Sequence, residues 1–251
     1  MPIALTIAAR EFKSLFLSPL AWTVLAVLQG LLAYLFLAQV ETFFVLMPKL
    51  ATVDSAPGLT DIAVTPLYGN AGIMLLLVTP LLTMRLVCEE RRNKTLALLL
   101  SAPVSAADII VGKYLGSLYL LLLMVAMLTL MPLSLLLGGT LDMGKLWANV
   151  LALSLLVSAF AAAGLYFSTV ASHPTVAAMA AFGLLLLLWV LDWSSTLQDQ
   201  RSALYEYLSL LRHFQNLQSG LLDTADIGYF LVFILLFLML SVQSLAKERL
   251  P

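Results

Sequence analysis

Six long stretches of this sequence contain no Asp, Glu, Lys or Arg, and they limit the fold more than any other feature. They cover residues 20–40, 66–84, 114–137, 146–171, 175–191 and 227–245. A helix needs about 20 apolar residues to cross a hydrocarbon core of about 30 Å. Of the 251 residues, 62% are hydrophobic and 11% are charged, whereas about 25% are charged in a soluble domain. The sequence therefore predicts an all-α integral membrane protein with six transmembrane helices.

The charge balance and the scarcity of metal ligands argue against several other classes. A formal net charge of −1 offers no basic surface for nucleic acid. Cys88 is the single cysteine, so the chain has neither an internal disulfide framework nor a cysteine-based metal site. His173 and His213 are the only histidines, which argues against a multi-histidine catalytic metal. We expect no cofactor, no metal and no nucleic-acid partner.

Basic residues set the orientation of the six spans. Nine fall in the segments that share a side with the N-terminus, and four fall in the loops on the other side. Because basic residues concentrate in cytoplasmic segments, both termini are predicted to be cytoplasmic. Arg10 and Lys13 precede the uncharged residues 14–40, a run longer than the roughly 7–15 apolar residues of a signal peptide. We therefore expect a retained anchor.

Three segments outside the spans have patterns of their own. Residues 2–17 place apolar residues around Arg10, Glu11 and Lys13, which predicts an interfacial helix entering span one. Residues 41–65 contain two prolines and a glycine and predict a loop on the outer side. Residues 192–226 predict a second outer segment, in which 203–212 fit an amphipathic helix lying on the membrane.

The densest cluster of charges lies between spans two and three, in residues 89–105. Four charged residues extend span two into water, and three leucines then form an apolar stripe at i, i+3 and i+4, a spacing that fits a groove on a partner. Pro103 ends this helix, and Val104 begins a turn. The charged residues are Glu89, Glu90, Arg91 and Arg92, and the stripe is Leu96, Leu99 and Leu100. The alternative is a solvated loop whose basic residues only fix the topology.

Short motifs are spread over nearly the full length of the sequence. They are Leu82-Thr83-Met84-Arg85, Glu89-Glu90-Arg91-Arg92, Thr95-Leu96, Leu98-Leu99-Leu100, Pro103-Val104-Ser105, Gly112-Lys113, Arg10-Glu11-Phe12-Lys13, Ser18-Pro19-Leu20, Leu188-Trp189, Tyr207-Leu208-Ser209 and His213-Phe214. Their order and spacing resemble the ABC-2 family of ABC-transporter permeases, and within it the branch of the gliding-motility and nitrous-oxide-reductase-maturation permeases. Two positions depart from that pattern: Lys94 stands where glycine is usual, and Ala97 where an acidic residue is usual.

The resemblance implies a single transmembrane domain over residues 1–251, in a bacterial inner membrane. Two permease subunits, as a homodimer or with a sister permease, would sit on two ABC ATPase subunits. The chain itself has no G-x-x-x-x-G-K-[ST] loop, so ATP hydrolysis is expected in a partner chain and this subunit is expected not to be an enzyme.

The resemblance also assigns residues to roles. Those of the coupling helix in the ATPase groove are Glu89, Glu90, Arg91, Arg92, Thr95, Leu96, Leu99, Leu100, Pro103 and Val104. Those of the N-terminal elbow are Arg10, Glu11, Phe12 and Lys13. His173, in a short turn with Pro174 between spans four and five, is either a second ATPase contact or part of a plain turn.

Other features of the spans have a functional and a structural interpretation. Met124, Met127 and Met131 share a helix face and could bind Cu(I), although ordinary packing by methionine explains them as well. Asp192 lies beside two tryptophans, which favours the membrane interface over a buried site. Pro80 and Pro132 predict kinks that are either hinges or fixed bends. The small residues of span four predict close helix packing within the subunit or at a dimer seam.

Two other protein classes and one variant mechanism compete with the permease. An ion-driven secondary transporter would carry a charged or broken helix near the midplane, and the six spans are uncharged. An intramembrane enzyme would carry paired aspartates, H-E-x-x-H or G-x-S-x-G inside a span, and the sequence has none of these. The ABC machinery could also pull on a periplasmic accessory protein without transporting cargo. The sequence leaves the substrate and the direction of transport open.

Overall fold

The structure is a computed structural model that describes residues 3–50, 58–95, 104–137, 141–197, 207–221 and 223–247, without the side chains of 49–50 and 192–197. Within these residues every regular element is a helix. Six helices there are long and apolar enough to cross a membrane. They are Pro19–Pro48, Thr60–Arg92, Ala106–Leu137, Met143–Val170, Pro174–Leu191 and Thr224–Lys247. The predicted all-α membrane fold with six spans is confirmed.

The helices follow one another with short connections. In chain order they are α1 (Ile3–Leu17), α2 (Pro19–Leu50), a π-helical turn (Thr60–Val64), α3 (Thr65–Thr83), α4 (Cys88–Arg92), α5 (Ala106–Ser134) with a 3₁₀ turn (Leu135–Leu137), α6 (Met143–Val170), α7 (Pro174–Leu197), α8 (Leu210–Gln218) and α9 (Thr224–Lys247). Helix α7 extends beyond the uncharged residues 175–191 of span five and ends at Leu197.

Helix α6 forms the centre of the bundle and packs against α3, α5, α7, α8 and α9. Its small residues are buried inside this chain, including Ala159, Ala163 and Gly164. A Cβ atom at Gly164 would overlap the hydroxyl group of Thr83 on α3. Close approach of α3 and α6 therefore requires glycine here, and the small residues of span four serve packing within the subunit.

The prediction of an outer loop over residues 41–65 is wrong at both ends of that range. Helix α2 continues to Leu50, and a π-helical turn begins at Thr60 and runs directly into α3. Residues 41–47 contain neither glycine nor proline, so nothing in them breaks the helix where the apolar run stops. Residues 51–57, including Pro57, lie outside the described part of the chain.

Of the residues 203–212 predicted as an amphipathic helix, residues 207–208 are helical, and a separate helix, α8, begins at Leu210. Ser209 caps helix α8, since its hydroxyl oxygen accepts a hydrogen bond from the backbone N–H of Arg212, and the helix extends to Gln218. Leu210, Phe214 and Leu217 are buried against the bundle rather than facing lipid. Residues 203–206 lie outside the described residues.

Candidate functional site

The candidate site lies at the end of the bundle that carries α4, called the α4 end below. It contains α1, the turn from α3 into α4, the start of α5, and the connection from α6 to α7. These elements include most of the residues that the sequence assigned to the coupling helix and the elbow. Three sets of side-chain contacts hold α4 against the bundle.

The first set anchors the turn between α3 and α4 to α6. The hydroxyl oxygen of Ser168 accepts hydrogen bonds from the backbone N–H groups of Val87 (3.0 Å) and Cys88 (3.2 Å). The same hydroxyl donates to the carbonyl of Met84 at 3.0 Å. Because the first N–H groups of a helix lack partners within the helix, Ser168 satisfies the start of α4 and fixes its position.

The second set joins α4 to the end of α6. The guanidinium group of Arg91 donates to the carbonyl of Ala171 at 2.7 Å and to that of Thr169. The last carbonyls of a helix also lack intrahelical partners, so Arg91 caps α6. The sequence predicted that Arg91 extends into water for a partner, and the structure places it instead on this chain's own backbone.

The third set centres on Lys113, which is only 2% exposed. Its ammonium group lies 2.8 Å from Glu90 Oε1 on α4 and 3.2 Å from Glu11 Oε2 on α1. A buried ammonium ion is costly unless opposite charges pair with it. Glu90 was also predicted to extend into water, but it forms half of this internal pairing.

Glycines bring α1 close enough to α5 for the third set to form. A Cβ atom at Gly112 would lie 2.7 Å from Ile7 Cβ, and one at Gly116 would lie 2.6 Å from Glu11 Cβ. Both are shorter than real side chains allow, so α1 rests directly on the α5 backbone. This contact was not predicted, although Gly112-Lys113-Tyr114-Leu115-Gly116 is a G-x-x-x-G motif that signals helix packing in membranes.

The C-terminus of α4 forms a Schellman motif. Lys94 has φ +57°, its N–H donates to the carbonyl of Arg91 at 3.1 Å, and the N–H of Thr95 donates to the carbonyl of Glu90 at 3.0 Å. The left-handed position of this motif favours glycine. The backbone turns back at Lys94, in a conformation for which glycine is better suited than lysine.

The outer face of α4 and the residues after it are exposed, namely Glu89, Arg92, Asn93, Lys94 and Thr95. The chain then passes through residues 96–103, so the predicted contacts Leu96, Leu99, Leu100 and Pro103, and also Ala97, lie outside the described residues. It returns at Val104, which is half-buried against the core. Ser105 caps α5 by accepting from the N–H of Asp108 at 3.0 Å.

The connection at His173 lies beside α4. The chain turns at 171–173 and α7 begins at Pro174, as the sequence predicted, and His173 is exposed. A polar cleft of about 450 Å³ separates this connection from α4. Its walls are Met84, Arg85, Glu89, Arg92, Asn93, Pro174 and Thr175. The fold therefore brings the two predicted partner contacts, α4 and the His173 turn, to one surface.

The predicted elbow residues divide between the surface and the interior. Arg10 and Lys13 are exposed, Glu11 pairs with Lys113, and Phe12 packs against the core. The Phe12 and Phe16 rings stack with their centroids 5.6 Å apart. Helix α1 therefore exists where the sequence predicted a helix, and its interfacial position stays a prediction.

The other candidates inside the spans do not converge on a site. Met124 is buried (1% exposed) whereas Met127 is 37% exposed, so the methionines do not share one environment. Pro80 and Pro132 are both buried within helices that continue past them. The side chain of Asp192 lies outside the described residues. The described part of the chain contains no group of three His, Cys, Asp or Glu side chains that could hold a metal ion.

A comparison with protein families identifies the family of this chain. The family described as ABC-2 family transporter protein matches residues 5–250 of the chain. A comparison with curated proteins found no match. The match agrees with the resemblance to the ABC-2 family, without specifying the branch, and it covers the site from residue 5 of α1 onward.

Proposed function

This chain belongs to the ABC-2 transporter family and is a membrane component of an ABC transporter, and from that premise we propose how it works. It is a permease subunit that docks on a separate ABC ATPase through residues 89–105. ATP hydrolysis in that partner moves the α4 end and reshapes the path between two permease subunits, exporting a cargo or performing conformational work. The membrane is the bacterial inner membrane, with the α4 end on the cytoplasmic side.

The observation that carries this proposal is the anchoring of α4. Ser168, Arg91 and Lys113 tie α4 to α6, α5 and α1, while the outer face of α4 stays exposed beside the His173 turn. A solvated loop that only fixes topology would not need buried ion pairs and backbone capping. A segment that receives force from a partner must be joined firmly to the helices that it moves.

The peripheral helices support a second subunit. In their most apolar stretches, only 28% of α2, 17% of α7 and 22% of α9 are buried within the chain, against 61% of α3 and of α6. Lipid or a second permease subunit would therefore cover α2, α7 and α9. We place the second permease, either a copy of this chain or a sister chain, on part of this surface.

The location of buried charges favours an ATP-driven device over an ion-driven transporter. The described residues with a buried Asp, Glu, Lys or Arg side chain are Lys113 and Asp226. Lys113 is in the third turn of α5, and Asp226 is in the first turn of α9. Both are near helix ends, whereas ion-coupled transporters carry such groups near the midplane.

The test is co-purification with the ATPase from gently solubilised membranes. The tagged wild type is compared with a Leu96→Asp/Leu99→Asp variant and with a matched control, Leu137→Asp/Leu221→Asp. The control leucines are 95% and 76% exposed and lie at the opposite end of the bundle. An ATP-binding subunit, identified by mass spectrometry and ATP hydrolysis, should accompany the wild type and the control and be lost from the first variant. If the wild type brings down no ATPase, the proposal is wrong.

A variant mechanism keeps the ATPase but replaces cargo transport with pulling on a periplasmic partner. Helix α8, at the end opposite α4, supports it, because α8 is held rigidly by buried contacts with α6, α7 and α9. The same membranes distinguish the two mechanisms. A periplasmic protein that co-purifies with the wild type and is lost from Leu137→Asp/Leu221→Asp supports pulling.

A further inference from the structure

We propose that Lys113 is a positioning residue that joins α1, α4 and α5 into one mechanical unit, so that the elbow helix moves with the coupling segment. Its role in coupling rests on the proposed function, whereas the joining of the three helices does not. In the sequence, Lys113 is part of the Gly112-Lys113 motif and one of the nine basic residues on one side. Its contacts in the structure indicate a role in joining helices.

The pairing connects parts of the chain that lie far apart in sequence. Lys113 bonds to Glu11, 102 residues away, and to Glu90, 23 residues away. One ammonium group therefore neutralises carboxylates from two other helices. Glu11 and Glu90 keep only 20% and 30% of their side-chain surface exposed, so water screens their mutual repulsion poorly if the ammonium is removed.

The two joints of this unit differ in strength. Helix α1 is seated on α5 by backbone-close packing, with the Ala4 carbonyl against Gly112 and the Ala8 carbonyl against Gly116. Helix α4 has only five residues, so it buries little surface of its own and depends on side-chain ties. Loss of the Lys113 charge should therefore release α4 from α1 rather than α1 from α5.

A polar cleft marks the place where this release would occur. The cleft has a volume of about 230 Å³ between α1 and α4, and Lys113 lies on its wall with Arg10, Ser14, Glu89 and Asn93. The joint between α1 and α4 is thus made of charged contacts beside a gap that Lys113 helps to line. A push on the segment after Asn93 passes through this joint to α1 and α5 together.

The test measures the distance between α1 and α4 directly. Spin labels are placed on cysteines at two exposed positions, Lys13→Cys on α1 and Asn93→Cys after α4, in a Cys88→Ala background. Pulsed electron paramagnetic resonance then gives the distance distribution in lipid nanodiscs. We expect a narrow distribution with Lys113, a broader and longer one with Lys113→Met, and a return to the narrow one with Lys113→Arg.

A second variant keeps the test decisive if Lys113→Met does not fold. Glu90→Gln removes only the α4 side of the pairing and leaves Lys113 paired with Glu11. It should also broaden the distribution, while Arg92→Gln, an exposed change on the same helix, should not. An unchanged distribution in a folded Lys113→Met or Glu90→Gln protein overturns the proposal.

A separate readout distinguishes the positioning role from the proposed function. The same variants are assayed for co-purification of the ATPase and for its hydrolysis rate in the complex. A broader distance distribution together with a several-fold loss of stimulated ATP hydrolysis supports both the joint between α1 and α4 and its role in coupling. If Lys113→Met broadens the distribution and the complex hydrolyses ATP at the wild-type rate, the joint exists but does not couple. If the wild type binds no ATPase, the proposed function fails and the distance measurement still decides the joint.

Discussion

His213 and Asp226 form a buried pair at the end of the bundle opposite α4, with His213 Nδ1 2.5 Å from Asp226 Oδ1. The other ring nitrogen of His213 lies 3.0 Å from the carbonyl oxygen of Tyr207. Both partners of the ring are hydrogen-bond acceptors. The Tyr229 ring stacks on the imidazole with centroids 4.1 Å apart. The pair therefore locks α8 onto α9.

Removal of the Asp226 carboxylate should destabilise the protein strongly. Asp226→Ala leaves Nδ1 of the buried His213 ring without its hydrogen-bond partner, and a buried polar group left unsatisfied costs about 1–3 kcal/mol. The measurement is the free energy of unfolding in detergent micelles, with Glu41→Ala as the control because Glu41 is exposed. If Asp226→Ala and Glu41→Ala lower the free energy of unfolding equally, the pair does not contribute to stability.

Replacement of Lys94 by glycine should stabilise the α4 end. The left-handed conformation at φ +57° costs a residue other than glycine about 1–2 kcal/mol, and the extra freedom of glycine in the unfolded chain offsets part of the gain. We expect Lys94→Gly to slow amide hydrogen exchange in residues 88–95 and Lys94→Ala to leave it unchanged. If amide hydrogens exchange at the same rate in Lys94→Gly and Lys94→Ala, the backbone at Lys94 is not strained.

A methyl group at Gly116 should disturb the seat of α1 on α5. The added Cβ would meet Glu11 Cβ at 2.6 Å and the carbonyl of Ala8 at 2.9 Å, and overpacking of this kind costs about 1–3 kcal/mol. Thermal unfolding of Gly116→Ala should therefore occur at a lower temperature than that of the wild type. Gly183→Ala is the matched control, since nothing lies within 4 Å of a Cβ there. A loss as large in Gly183→Ala would mean that any added methyl group in a span is harmful.

Arg91 should not be replaceable by lysine. Its planar fork reaches two carbonyls, of Thr169 and Ala171, and lysine offers one flexible ammonium instead. Hydrogen bonds from charged donors contribute about 1.5–3 kcal/mol each, and Arg91→Lys should lose one of them. The free energy of unfolding in micelles measures this loss, and Arg92→Lys on the exposed side of α4 should show none. If Arg91→Lys leaves the free energy of unfolding unchanged, the two hydrogen bonds of Arg91 do not stabilise the end of α6.

Much of the site was predictable in location but not in orientation. The charged cluster, the turn at His173 and an N-terminal helix were all visible in the sequence, and the structure brings them to the α4 end. The sequence also suggested that Glu90 and Arg91 point to a partner, and both point inward. Whether a residue of a five-residue helix faces its own bundle depends on how that helix is rotated, and no pattern in residues 88–92 reports the rotation.

The six spans of this protein were determined by length, hydropathy and charge, which are local properties of the sequence. Local properties are enough because each helix that crosses lipid must satisfy its own backbone hydrogen bonds. The order of motifs then indicated the family. Only the tertiary structure decided which distant residues meet. Lys113 between Glu11 and Glu90, Thr83 beneath Gly164, and His213 against Asp226 join different helices. Such contacts depend on how neighbouring helices rotate and how closely their backbones approach, and both follow from packing of the whole bundle.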